Sequence, residues 1–123
     1  MGINSTEVSY GFGQLGSVFS DSTTTAMTPP TGKVFVAIHF LEETALTTSG
    51  GLIAQNDISN GIEYAGTDTP AHDLVGNPDL GESGAGGTVI DENNIIPAGT
   101  IIYGRYTQIK TVANKMIIAY IGK

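Results

Sequence analysis

The chain has no cysteine, no tryptophan, few bases and no long apolar run. Without cysteine, disulfides and thiolate-bound metals are excluded, and the redox compartment cannot be read from the sequence. Only five Lys and Arg residues stand against twelve Asp and Glu, giving a net charge of −7. That balance argues against nucleic acid and against an anionic membrane surface as partners. The longest apolar stretch, residues 34–41, is interrupted by His39 and is far too short to cross a bilayer. The opening Met-Gly-Ile-Asn-Ser has neither the basic nor the apolar region of a secretory signal, so the expectation is a protein made and kept in a cytoplasm, or assembled there into something larger. An amphipathic helical stripe is missing throughout.

What is present fits one domain. A chain of 123 residues buries roughly two thirds of its unfolded surface, enough for a core without staples. Strand signals are separated by turn chemistry. In "KVFVAIHFLEE", Val34, Val36, Ile38 and Phe40 alternate with Phe35, Ala37, His39 and Leu41, and both sets are largely apolar. Such a pattern predicts a central strand covered on both faces. "GLIAQN" (51–56) and "GIEYAG" (61–66) flank Asn60-Gly61, a tight-turn signal that predicts a hairpin or meander. In the C-terminal third, Ile101, Tyr103, Arg105, Thr107 and Ile109 alternate with Ile102, Gly104, Tyr106, Gln108 and Lys110. "TVANK" then turns the chain back into Met116, Ile118 and Tyr120 alternating with Ile117, Ala119 and Ile121. Paired, the two segments read as a long antiparallel hairpin.

The expected fold is therefore all-β: a compact antiparallel sandwich or barrel, of jelly-roll or β-tulip type, occupying residues 31–123. Residues 1–30 read as an extended arm and linker, and 67–87 as one long Gly-rich loop exposing Asp68, Asp73, Asp79 and Glu82.

Few patterns in the chain carry chemistry. Gly11, Gly13 and Gly16 spell G-x-G-x-x-G, the glycine pattern of a dinucleotide loop. That loop works by entering a helix whose N-terminal amides face the pyrophosphate. Here Ser17, Val18, Phe19 and a run of threonines come next, and no acidic residue stands where the ribose needs one. No nucleotide or other cofactor is expected. His72 lies near Asp68 and Asp73, but spacing within a proline-containing loop enforces no ligand geometry, so no metal is expected. His39, in an apolar strand, reads as a core or interface side chain. The pairs Glu42-Glu43 and Asp91-Glu92 are sequence neighbours, which point to opposite faces of a strand. No nucleophile elbow is present, and no catalytic residues are assigned. A cupin-type barrel would need clustered histidines, and two histidines 33 positions apart do not supply them.

Two features remain. No Lys or Arg falls between Lys33 and Arg105, where ten Asp and Glu residues do. That region is either a solvated acidic flank or a face for a basic partner or cations. Tyr103, Arg105 and Tyr106 are residue types enriched in binding hot spots. They serve either as contacts or as ordinary packing and charge neutralisation.

Three stretches, "YGFGQLGSVFSD", "TPPTGKVFVAIHFLEE" and "IPAGTIIYGRYTQIK…KMIIAYIG", resemble small structural proteins of tailed-phage virions, particularly of marine phages. Some of these are capsid decoration (cement) proteins. The resemblance implies a non-enzymatic protein, assembled in the host cytoplasm, that sits on the outer capsid surface. It implies the major capsid protein and further copies of the chain as partners, with a trimer favoured. The N-terminal segment then reads as a docking arm anchored by Tyr10, Phe12, Leu15, Val18 and Phe19, removable through residue 20 without unfolding the domain, with Tyr103, Arg105 and Tyr106 as further contacts. A tail or capsid fibre knob that binds host-surface glycans through the acidic loop is the alternative.

Overall fold

Seven residues, Val34–Phe40, form the strand around which the rest is arranged (β2). The computed structural model describes residues 15–22, 25–60, 62–68 and 89–123. On one side of β2 lies β4 (Ile101–Ile109), on the other β5 (Ile117–Gly122). A short strand β1 (Ser17–Ser20) flanks β5, and β3 (Leu52–Ala54) flanks β4. The order is β1-β5-β2-β4-β3, and every neighbouring pair is antiparallel. The chain is thus all-β. The sheet is open, and closure into a barrel or pairing with a second sheet is not seen among the described residues.

The expected β4–β5 hairpin is replaced by a different pairing. Both strands are antiparallel to β2, which lies between them, so they run parallel to each other. The reason lies in the apolar character of β2. A strand with little polar surface is most stable with a neighbour on each edge. The "TVANK" segment accordingly leaves the sheet instead of turning within it: Thr111 bridges Leu46, and the Val112 N–H donates to the Ala45 carbonyl at 2.9 Å. The meander expectation fares better. Asp57 and Ile62 exchange both backbone bonds around a 3-10 turn at Ile58–Asn60, and the Thr67 N–H donates to the Leu52 carbonyl at 2.9 Å.

The alternation of β2 is broken by a bulge between Phe35 and Ala37. A bulge places two residues opposite one and shifts the phase of the rest of the strand. Phe35, Ile38 and Phe40 therefore share the core, opposite Ile121, Ala119 and Ile117 of β5. Val34 and Ala37 are buried yet lie outside that cluster. A second register shift, between Ile53 and Ala54, sets both Tyr106 and Ile109 of β4 into the core. Each such side chain contributes about 1.5–3 kcal/mol of burial.

The inner face is covered by bridged segments. Thr44 pairs with Ile96, and Leu46 and Ile96 close over the core with Met27, Tyr64 and Ile90 packed beside them. The buried threonines are satisfied: the Thr44 hydroxyl donates to the Glu42 carbonyl at 2.7 Å, Thr111 to Ala113 at 2.8 Å, and Thr67 accepts the Leu52 N–H at 2.9 Å. Gly51 is required at its position, because a Cβ there would fall on the backbone of Thr47.

The boundary between arm and domain also moves. Ser17–Ser20 is an edge strand of the sheet, Val18 packs against the core, and Met27 exchanges two backbone bonds with Ile109 at 2.8 and 2.9 Å. Removal through residue 20 would take away a strand. Tyr10 and Phe12, the outer anchors of the expected arm, and most of the 67–87 loop lie outside the described residues.

Candidate functional site

The face of the sheet opposite the core carries the exposed aromatic and aliphatic side chains. Strand alternation places them there. In β1, Val18 and Ser20 stand opposite the core residues Ala119 and Ile117, so Ser17 and Phe19 point the other way. In β5 the residues between core positions are Ile118 and Tyr120. In β2 they are His39 and, through the bulge, both Val36 and Ala37. In β4 they are Ile101 and Tyr103, which pair with His39 and Ala37.

The register joins these into two cross-strand rows. One runs Phe19–Ile118–His39–Ile101, and the other Ser17–Tyr120–Ala37–Tyr103. Four strands at the usual spacing make each row about 14 Å long. Phe19 is 55%, Ile101 42% and Tyr103 60% exposed. Ile118, His39 and Tyr120 are half-buried. Ala37, only 2% exposed, has a tyrosine as its cross-strand neighbour on each side. Gly122, the last residue of β5, leaves room that Val36 fills.

Arg105 stands at the margin of this face and is held in place. Its Nε and Nη2 donate to Gln55 Oε1 at 3.1 and 2.9 Å, and its Nη1 to the Lys123 carbonyl at 2.9 Å. The guanidinium thus ties β4 to the segment after β3 and to the end of β5.

The structure therefore brings Phe19, Tyr103 and Arg105 to one surface. Leu15 is exposed just before β1. Val18 is turned toward the core. Tyr106 is 1% exposed, and its hydroxyl donates to the Ala65 carbonyl at 2.8 Å beside the tilted ring of Tyr64, 6.2 Å away. It is a core residue and presents nothing to a partner. Burial, with the Tyr64 phenol adding to it, pushes the Tyr106 hydroxyl up to about 12. Sequence reasoning missed Ile101, Ile118 and Tyr120 as surface residues. The signal was there in β5, where Ile118 and Tyr120 alternate with three residues of equal hydrophobicity, but alternation alone does not say which set is buried.

Elsewhere several carboxylates accept hydrogen bonds within turns and between segments. The Asp57 carboxylate accepts from Asn60 Nδ2 at 2.7 Å and from the Ser59 hydroxyl at 2.9 Å, which holds it below the usual carboxylate range. Asp68 accepts the Gly50 N–H at 2.6 Å, and Glu42 accepts the Met116 N–H at 2.8 Å. Among the described residues no three His, Asp or Glu side chains gather as a metal site would require. His72, Asp73 and Asp79 lie outside them. Gly16, with φ of 96°, leads directly into β1, so the last glycine of the G-x-G-x-x-G pattern opens a strand. No family model matches the chain, and no curated protein or solved structure matches it.

Proposed function

We propose that the chain is a non-enzymatic structural protein of a phage virion, of the capsid decoration type, which oligomerises on the outer shell and stabilises it by bridging major capsid protein subunits. The observation that carries the assembly role is the set of exposed apolar side chains on the outer face of the sheet, Phe19, Ile101 and Tyr103, with half-buried Ile118, His39 and Tyr120 between them. Contiguous exposed apolar surface of this kind marks association sites on soluble domains. The phage setting is supported by the likeness of the three sequence stretches to tailed-phage structural proteins. A decoration protein works through many weak contacts multiplied by copy number, and a rigid sheet with an apolar face suits that use.

The test is immunogold electron microscopy of particles from lysates of the source cells, with antibody raised against the purified chain. Dense label over the outside of capsids is expected. Label restricted to tails or fibres would replace decoration by the host-binding reading, and particles without label would remove the virion role.

A further inference from the structure

We propose that the outer face of the sheet is the contact between two copies of this chain, packed sheet on sheet about a two-fold axis. This deepens the proposed function, on which it rests, by naming a partner for the same face.

Charge selects the partner. The five strands contain no Asp or Glu and only one base, Arg105, in a chain with twelve acids and a net charge of −7. The rows of the outer face hold no Asp, Glu, Lys or Arg, and Arg105 is already bonded to Gln55 and Lys123 at its margin. A strongly basic or acidic partner finds no counter-charge there. What an uncharged, apolar sheet face complements best is another of the same kind. A second copy presents one, and two-fold symmetry makes such a contact self-complementary.

Area is sufficient. A large aromatic side chain spans about 150–250 Å², so Phe19 and Tyr103, each more than half exposed, offer about 100 Å² apiece. With Ile101 and the half-buried Ile118, His39 and Tyr120, the face offers up to roughly 500 Å² per copy, so two copies bury up to about 1,000 Å², the small end for a specific interface. Geometry agrees. Stacked sheets sit about 10 Å apart with strands within about 30° of alignment, which lets rows of this length interdigitate along their whole extent. The inner face already packs under its bridged cover, so the dimer would be a layered structure with the outer faces at its centre.

The resemblance to decoration proteins implies a trimer. A single face used by both partners closes at two, and the two stoichiometries separate in solution.

The experiment is sedimentation equilibrium of the purified full chain across micromolar concentrations, with Tyr103→Glu and Ile95→Glu. Ile95 is 54% exposed and lies outside the strands, on the segment that includes the core-covering Ile96. The wild type is expected to be a monomer–dimer system. Tyr103→Glu is expected to weaken the dimer at least about tenfold, as for an aromatic interface side chain replaced by a charge, and Ile95→Glu less than about twofold. Circular dichroism confirms that both variants are folded, and Phe19→Lys replaces Tyr103→Glu if that one is not. A monomer at all concentrations, a trimer, or a dimer indifferent to the folded face substitution overturns the inference. No shell enters this measurement, so its failure leaves the immunogold result standing, and the reverse holds equally.

Discussion

Tyr106 shows how a single residue can be misplaced by its type. Tyrosine beside arginine invites a contact reading, yet plain alternation puts Tyr106 on the same side as Ile102 and Gly104, which is the core side. Its consequence is a dependence on alkaline pH. The fold holds the neutral phenol, with a pKa raised from 10.0 to about 12. In the unfolded chain the same hydroxyl ionises near its ordinary value. The stability contributed by this group is therefore complete below about pH 10 and falls as pH rises from there toward about 12. Urea midpoints measured across that window should decline, and Tyr106→Phe should flatten the decline. At neutral pH the same substitution should cost about 1 kcal/mol, because the Ala65 carbonyl loses its donor. A phenolate absorbance titration should show a late-ionising component that Tyr106→Phe removes. If the urea profile of Tyr106→Phe kept the wild-type slope, another group would be responsible.

At the scale of elements, the strands are legible in the sequence and their phase and partners are not. Residues 34–40, 101–109 and 117–121 stand out because β-branched and aromatic residues alternate over lengths that no helix signal contests. In β5 the core set keeps strict alternation, although the sequence does not say which of the two sets it is. In β2 the alternation breaks, since a bulge adds one residue without leaving a mark in the sequence. Pairing is equally hidden. A short link between two strand signals reads as a hairpin, whereas the extra stability of giving β2 two neighbours sends β5 to its far edge. Strand β1 reads as an arm because four residues among glycines carry little signal. Its place makes a sharp prediction. Val18 faces the core and Phe19 does not, so adjacent substitutions should differ. Val18→Asp should cost about 2–4 kcal/mol, from a carboxylate held against apolar side chains. Phe19→Asp should cost less than about 1 kcal/mol when both are measured at dilutions where the chain is monomeric. Equal effects would mean that β1 is not docked as described.

At the scale of the whole molecule, charge and apolar surface are segregated. The described acids lie in loops and turns, while the strands carry none. The association face is only partly legible in the sequence, because Phe19, Tyr103 and Arg105 stand out by type, whereas Ile101, Ile118, His39 and Tyr120 join them only through the register. Segregation sets the sign of the salt response. Two copies that each carry −7 repel at long range, while the contact between their outer faces is uncharged. Added salt shortens the Debye length and removes repulsion without weakening the contact itself. Raising sodium chloride from ~0.05 to ~0.5 M should therefore tighten the dimer about threefold or more, the reduction expected when like charges on bodies this size are screened. A dimer held by opposite charges would respond in the other direction. Sedimentation equilibrium at the two salt concentrations thus separates an apolar face-to-face contact from one in which the acidic loops meet bases such as Lys110 or Lys115 on the second copy.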